Sequence, residues 1–144
     1  MAELIIERTI AATPDRVFAW LTDPSHLTAA PLAVKAGWAG GTTAPGVGAV
    51  REVFALGLWA REQITAYDPP HRYDYRIVTS VPAIDHQDGS VTLTPTPDGT
   101  HVRWVSVYSH PRSGGGKPME ALTSRLLPGS FDAILNACAA DLES

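Results

Sequence analysis

Glu62, Tyr73, Tyr75 and Tyr108 are the side chains of this sequence best suited by type to move protons. A carboxylate set among aromatic rings has its pKa raised by desolvation, which suits a general base near neutral pH. An arginine opposite it, here Arg51, pulls that pKa back down. Glu62 and Tyr75 are therefore candidate catalytic residues. His86 is a weaker third, because it follows Pro82 in an irregular connection that leaves its facing open.

Other chemistries fare worse. The five histidines, at 26, 71, 86, 101 and 110, are dispersed, with no HExxH and no Cys-His cluster. Neither a metal site nor a cofactor is expected. No GxSxG nucleophile elbow occurs, although a Ser-His-Asp triad assembled from distant positions stays open. The lone cysteine, Cys138, falls on the apolar stripe of a helical segment and reads as a core residue rather than a nucleophile. The glycine-rich stretches AGGTTAPGVG (39–48) and GGGK (114–117) lack the G-K-[ST] of a phosphate loop. They read as a mobile loop at a pocket mouth and a flexible entry to the last helix.

Those residues need elements to position them. ELIIERTIA (3–11) is β-branched and roughly alternating, hence a strand. Thr13 can cap the helix that follows, with Pro14 at its first position and Val17, Trp20 and Leu21 on its buried stripe. Asp23-Pro24 stops it, because the residue before a proline leaves the helical region. SHLTAA is a second short helix, and 33–38 a short strand. From 47 to 110 the pattern is strand after strand: AVREVFAL, LWAREQITAY, RYDYRIVT, GSVTLTPT and THVRWVSVYS. The turn signals between them predict an antiparallel meander. The segment from Pro118 to Ser144 is helical, with a kink or break expected at Pro128, which lacks the N–H for the Ser124 carbonyl.

Charges set the register. A two-residue turn at Leu56-Gly57 pairs Ala55 with Leu58 and places Arg51 opposite Glu62 and Glu52 opposite Arg61. A slip of one residue would lose both pairs, each worth roughly 0.2–1 kcal/mol. Closing the next hairpin at Asp68-Pro69-Pro70-His71 sets Tyr67 opposite Arg72. One face then carries Arg51, Val53, Ala60, Glu62, Ile64, Ala66, Tyr73, Tyr75 and Ile77, and reads as inner. The other, with Glu52, Arg61, Gln63, Thr65, Asp74 and Arg76, reads as solvated. An Asp98-Gly99 turn would set Pro97 against Thr100 and Leu93 against Trp104. Val91, Leu93, Val102, Trp104, Ser106 and Tyr108 then share the inner face. Pockets are largely apolar with a few placed polar groups. Arg51, Glu62, Tyr73, Tyr75, Trp104 and Tyr108 are therefore the expected ligand-binding set. The alternative for Arg51–Glu62 is a plain cross-strand pair in water at the sheet end.

The segments IERTIAATPDRVFAWLTDPSHL, GVGAVREV, YDPPHRYDYRIV and DGSVTLTPTPDGTHVRW, with the final helix, resemble the SRPBCC superfamily. The best match is its polyketide cyclase/dehydrase-like branch, akin to START and birch-pollen-allergen domains. The resemblance spans nearly the whole chain and implies an α+β helix-grip fold over residues 1–144 as one domain. Its features would be a curved antiparallel sheet of six or seven strands, two short helices after strand one, and a long C-terminal helix with a lipophilic cavity beneath it. The matching segments are structural, so no catalytic motif transfers with them.

Three readings follow: a binding protein for a small hydrophobic molecule, lipid or polyketide-like; a cyclase, aromatase or dehydratase using general acid–base chemistry in the same cavity; or a protein-interaction module, which predicts an exposed apolar patch. The totals agree with all three. The 144 residues are 44% hydrophobic, with 11 basic and 15 acidic residues and a net charge of −4. Without a basic block, nucleic-acid binding is not expected. No apolar run reaches the roughly 20 residues that span a bilayer. A single cysteine and no export signal point to the cytoplasm. A homodimer is compatible with all of this.

Overall fold

The structure, a computed structural model, describes residues 1–143. The chain runs β1 (Ala2–Ile10), α1 (Pro14–Thr22), a 3-10 segment (Pro24–Ala29), then β2 (Ala33–Ala39), β3 (Val50–Ala55), β4 (Leu58–Asp68), β5 (Arg72–Val81), β6 (Asp85–Thr96) and β7 (Gly99–Ser109). A short 3-10 turn (Arg112–Gly114) leads into α2 (Gly116–Leu142). The strands form one antiparallel sheet in the order β1-β7-β6-β5-β4-β3-β2, curved about α2. This is the helix-grip α+β fold that the element order predicts. Thr13 occupies the N-cap position of α1 but makes no side-chain capping bond, so the entry rests on Pro14 at the first position.

The core lies between the inner face of the sheet, α1 and the last half of α2. Val17, Phe18, Trp20 and Leu21 of α1 pack with Tyr73, Val91, Leu93, Val102 and Trp104, and with Ile134, Leu135 and Cys138 of α2. Trp20 also donates through its indole N–H to Asp141 at 2.8 Å, tying α1 to the end of α2. Helix α2 is continuous through Pro128. There is no break at the proline, and the buried residues of the helix, Ile134, Leu135, Cys138 and Ala139, all lie beyond it. In the glycine run before α2, Gly114 is buried against Ala83 while Gly115 and Lys117 are exposed.

The charge pairs set the β3–β4 register as expected: Arg51 faces Glu62, Glu52 faces Arg61, and Ala55 faces Leu58. Elsewhere the register departs from the simple alternation. Tyr67 pairs with Tyr73 rather than Arg72, and an irregularity between Ile64 and Ala66 restores Ile64 opposite Tyr75. That extra residue flips the parity beyond it. Ala66 is therefore exposed, and Tyr67 turns in to meet Phe18 at 5.4 Å. At the β6–β7 turn, Thr96 faces Gly99, Pro95 faces Thr100 and Leu93 faces Val102, not Trp104. Pro97 and Asp98 are the two central residues, with glycine last, the order that a type I turn favours. Gly99, at φ +142°, lies so near the Ile10 carbonyl that a Cβ would sit 2.2 Å from its oxygen. The shift is by two residues, so side-chain parity survives and Val91, Leu93, Val102, Trp104, Ser106 and Tyr108 are all buried.

Candidate functional site

Between the sheet and α2 lies an apolar cavity of about 120 Å³. Val53 and Ala60 form part of its floor, and Phe131 and Ile134 of α2 its roof. Trp104 stacks on Phe131 at 4.1 Å and 7°, so sheet and helix meet through two flat rings at one wall. Leu27, Ala30 and Leu32, from the segment after α1, edge it. Leu32 is 46% exposed and marks the rim. The contribution of α2 agrees with what the family resemblance implies, but nothing in the sequence marks the Leu27–Leu32 edge, since a strand register does not say which loop closes over a sheet.

Five of the six expected binding residues line the cavity: Arg51, Glu62, Tyr75, Trp104 and Tyr108. Tyr73 does not. It is 2% exposed in the core, with its ring edge-on to Phe18 at 5.9 Å and 5.7 Å from the Arg51 guanidinium.

The Arg51–Glu62 pair is inside the protein. The Arg51 side chain is 1% exposed and that of Glu62 14%, and the Arg51 Nε–H donates to Glu62 Oε1 at 2.6 Å. The guanidinium carbon lies 4.9 Å from the Tyr75 ring centroid, within cation–π range. Burial alone would lower the Arg51 pKa. The charge of Glu62, aided by Tyr73 and Tyr75, more than offsets this and the pKa is raised. Arg51 is a permanent cation here, and its Nη1 is buried with no hydrogen-bond partner among the described residues.

His86 is placed by an irregularity. A register shift between His86 and Asp88 flips β6, so that His86 faces Tyr108 and joins the inner side. The inward position between it and the core is Gly89, where a Cβ would lie 2.7 Å from the His86 ring and 2.8 Å from the Tyr75 ring. Glycine thus leaves room for His86 to stack on Tyr75 at 5.4 Å. Strands β5 and β6 pair only from Arg72 to Asp74. Where they part, the Ile77 N–H donates to His86 Nδ1 at 3.0 Å. Since Nδ1 accepts, the proton of the neutral ring sits on Nε2, which faces Ser106 Oγ at 3.2 Å. Burial lowers the His86 pKa, favouring that neutral form. His86 therefore cannot take a proton from Ser106, and a Ser-His nucleophilic pair is excluded at this position. His86 stands behind Ser106 rather than on the cavity wall.

The remaining hydroxyls are arranged in the same sense. The Trp104 indole N–H donates to Tyr75 Oη at 2.8 Å, and burial raises the Tyr75 pKa, so the phenol keeps its proton. Tyr108 Oη shares a 2.8 Å bond with Thr123 of α2. Cys138 is fully buried and its thiol is pushed up to about 12 by burial, which makes it inert, as its place on the apolar stripe implied. Among the described residues, no group of three or more His, Cys, Asp or Glu could hold a metal ion.

The fold and the cavity define a helix-grip protein of the SRPBCC superfamily. More narrowly, the chain belongs to the family described as polyketide cyclase / dehydrase and lipid transport, which matches residues 1–143. Solved structures share the fold at low identity. A protein from Thermus thermophilus is 19% identical over 96% of this chain and 95% of its own, with a TM-score of 0.73. The Aha1 dimer from Colwellia psychrerythraea is 16% identical, at TM-score 0.70, over 99% and 97%. Ara h 8.0201 is 18% identical, at TM-score 0.68, over 96% and 98%. No curated protein sequence matches the chain.

Proposed function

We propose that the protein, acting as one domain over residues 1–144, binds a small hydrophobic molecule in the cavity between the sheet and α2. The observation that carries this reading is a largely apolar cavity with the buried Arg51–Glu62 pair in its lining. A dry core has no use for a charge pair whose desolvation costs several kcal/mol per ion. A pocket that must orient one polar group of an apolar guest does. The family's description, which names lipid transport beside cyclase and dehydrase activity, supports the same reading. Native mass spectrometry of the purified protein tests it: a copurifying small molecule released on unfolding is expected. An empty protein that takes up no apolar probe would refute it.

A second reading, a cyclase or dehydratase, draws on one observation: the Glu62 carboxylate and the Tyr75 hydroxyl line the same cavity. In it Glu62 is the base and Tyr75, protonated at neutral pH, the acid. Glu62→Gln and Tyr75→Phe variants that keep the ligand but lose turnover of an enolisable ketone would establish it. The cavity favours both readings over an interaction module. A single buried cysteine supports a reducing compartment such as the cytoplasm, and no described helix is long and apolar enough to cross a membrane. Whether two copies pair, as in the Aha1 dimer, is a matter for sedimentation.

A further inference from the structure

Resting on the ligand-binding reading above, we propose that the guest is an aliphatic alcohol, its O–H donating to Glu62 Oε2. Of the buried ion pair, Glu62 is the member a guest can reach. Its Oε1 is taken by the Arg51 Nε–H at 2.6 Å. Its Oε2 has no hydrogen-bond partner among the described residues, yet it is not one of the enclosed, unpartnered atoms, as Arg51 Nη1 is. The Glu62 side chain is 14% exposed against 1% for Arg51, and it lines the cavity. Arg51 thus fixes the carboxylate through one oxygen and leaves the other accessible. A carboxylate oxygen only accepts, so its complement is a donor.

Two hydroxyls of the same lining are set the opposite way. Tyr75 Oη accepts from the Trp104 indole N–H. Ser106 Oγ accepts from His86 Nε2–H, because His86 Nδ1 already accepts from the Ile77 N–H. Each hydroxyl keeps its own hydrogen to give. One open acceptor beside such donors suits a group that both donates and accepts. An alcohol does both, an ether only accepts and an ammonium only donates.

Size and charge narrow the class. About 120 Å³ is less than the roughly 150 Å³ that admits benzene, so an enclosed guest has about five heavy atoms and no six-membered ring. A longer alcohol enters by its hydroxyl end, with the remainder leaving past the rim at Leu32. Arg51 and Glu62 already neutralise each other. An ammonium would add a second cation, and a carboxylate a second anion, in a desolvated space with no uncommitted counter-charge.

Two isomers isolate the donor: 1-butanol has one and methyl propyl ether has none. Butylammonium, with the same heavy-atom count, adds a charge. Titration of the full chain at neutral pH, followed by backbone amide and Glu62 carboxylate-carbon NMR shifts, gives their affinities. Butanol should bind at least about tenfold more tightly than the ether, since a hydrogen bond to a charged acceptor is at stake. It alone of the two should move the Glu62 carboxylate signal. It should exceed butylammonium by a similar factor. Glu62→Gln keeps a carbonyl oxygen for Arg51 Nε and puts an amide donor where Oε2 stood, so the butanol-to-ether ratio should fall to within about twofold of unity. The comparison of isomers needs no variant and stands even where Glu62→Gln fails to fold. Equal binding of butanol and ether, a wild-type preference for butylammonium, or an unchanged ratio in a folded Glu62→Gln overturns the inference while leaving ligand binding intact. Binding of none of the three overturns both.

Discussion

Replacing Glu62 with leucine tests whether the Arg51 charge is held inside the protein. The substitution removes the acceptor of the 2.6 Å bond from Arg51 Nε and leaves a guanidinium that is 1% exposed, with Nη1 already unpartnered. Arginine does not shed its proton, so the charge must stay buried or the sheet must open. Removing one partner of a buried pair costs about 3–5 kcal/mol. Glu62 is 14% exposed and the Tyr75 ring still faces the cation, which favours the lower end, about 3 kcal/mol. Arg51→Met should cost less, because the carboxylate it strands has some access to water. The double variant Arg51→Met/Glu62→Leu removes both charges and fills the site with apolar groups, so it should recover to wild-type stability or exceed it by about 1–4 kcal/mol. Urea denaturation of all four proteins gives the coupling, expected to be at least about 2 kcal/mol. A Glu62→Leu cost within about 0.5 kcal/mol of zero, with an additive double variant, is what an exposed surface pair would show. It would refute the buried site.

Tyr75→Phe strips the acceptor from the buried Trp104 indole N–H and should destabilise by about 1–3 kcal/mol in the same assay. Because burial holds the His86 pKa below its ordinary value of about 6.5, the folded chain binds fewer protons than the unfolded one in mild acid. That contribution is fully present above about 6.5 and is lost as pH falls from there through the folded value. His86→Gln should flatten this limb of the stability–pH curve, and an unchanged slope would count against the assignment. Gly89→Ala forces a methyl to within 2.8 Å of both the Tyr75 ring and its carbonyl oxygen. A loss of about 1–3 kcal/mol, with broadened Tyr75 ring resonances, is the expected result. The Cys138 thiol should resist a thiol reagent at mildly alkaline pH until urea unfolds the chain, and rapid labelling of the native protein would contradict its burial.

Much of this architecture is legible in the chain itself. Alternation together with two opposite-charge pairs is enough to align β3 with β4, since a slip of one residue separates both pairs at once. The β7 face carrying Trp104, Ser106 and Tyr108 is also readable, even from a turn set one residue away from its true place, because that moves the pairing by two and preserves parity. Ala66, Tyr67 and His86 are not readable. Each lies beyond a single extra residue in a ladder, which reverses the facing of everything after it and leaves no mark in a propensity pattern.

Local periodicity and charge are sufficient to fix the order of elements, the buried stripe of α1 and the partner of Arg51, but not the stripe of α2, where Leu122 and Leu126 share the apolar spacing and are exposed. They do not reach as far as burial. That Arg51–Glu62 lies inside, that Tyr73 belongs to the core, and that His86 braces Ser106 rather than facing the cavity come from the folded chain alone. Burial depends on what α2 and the segment around Leu27–Leu32 cover, and a tautomer depends on which backbone N–H the parting of two strands leaves free. Both are set by contacts between residues far apart in the chain.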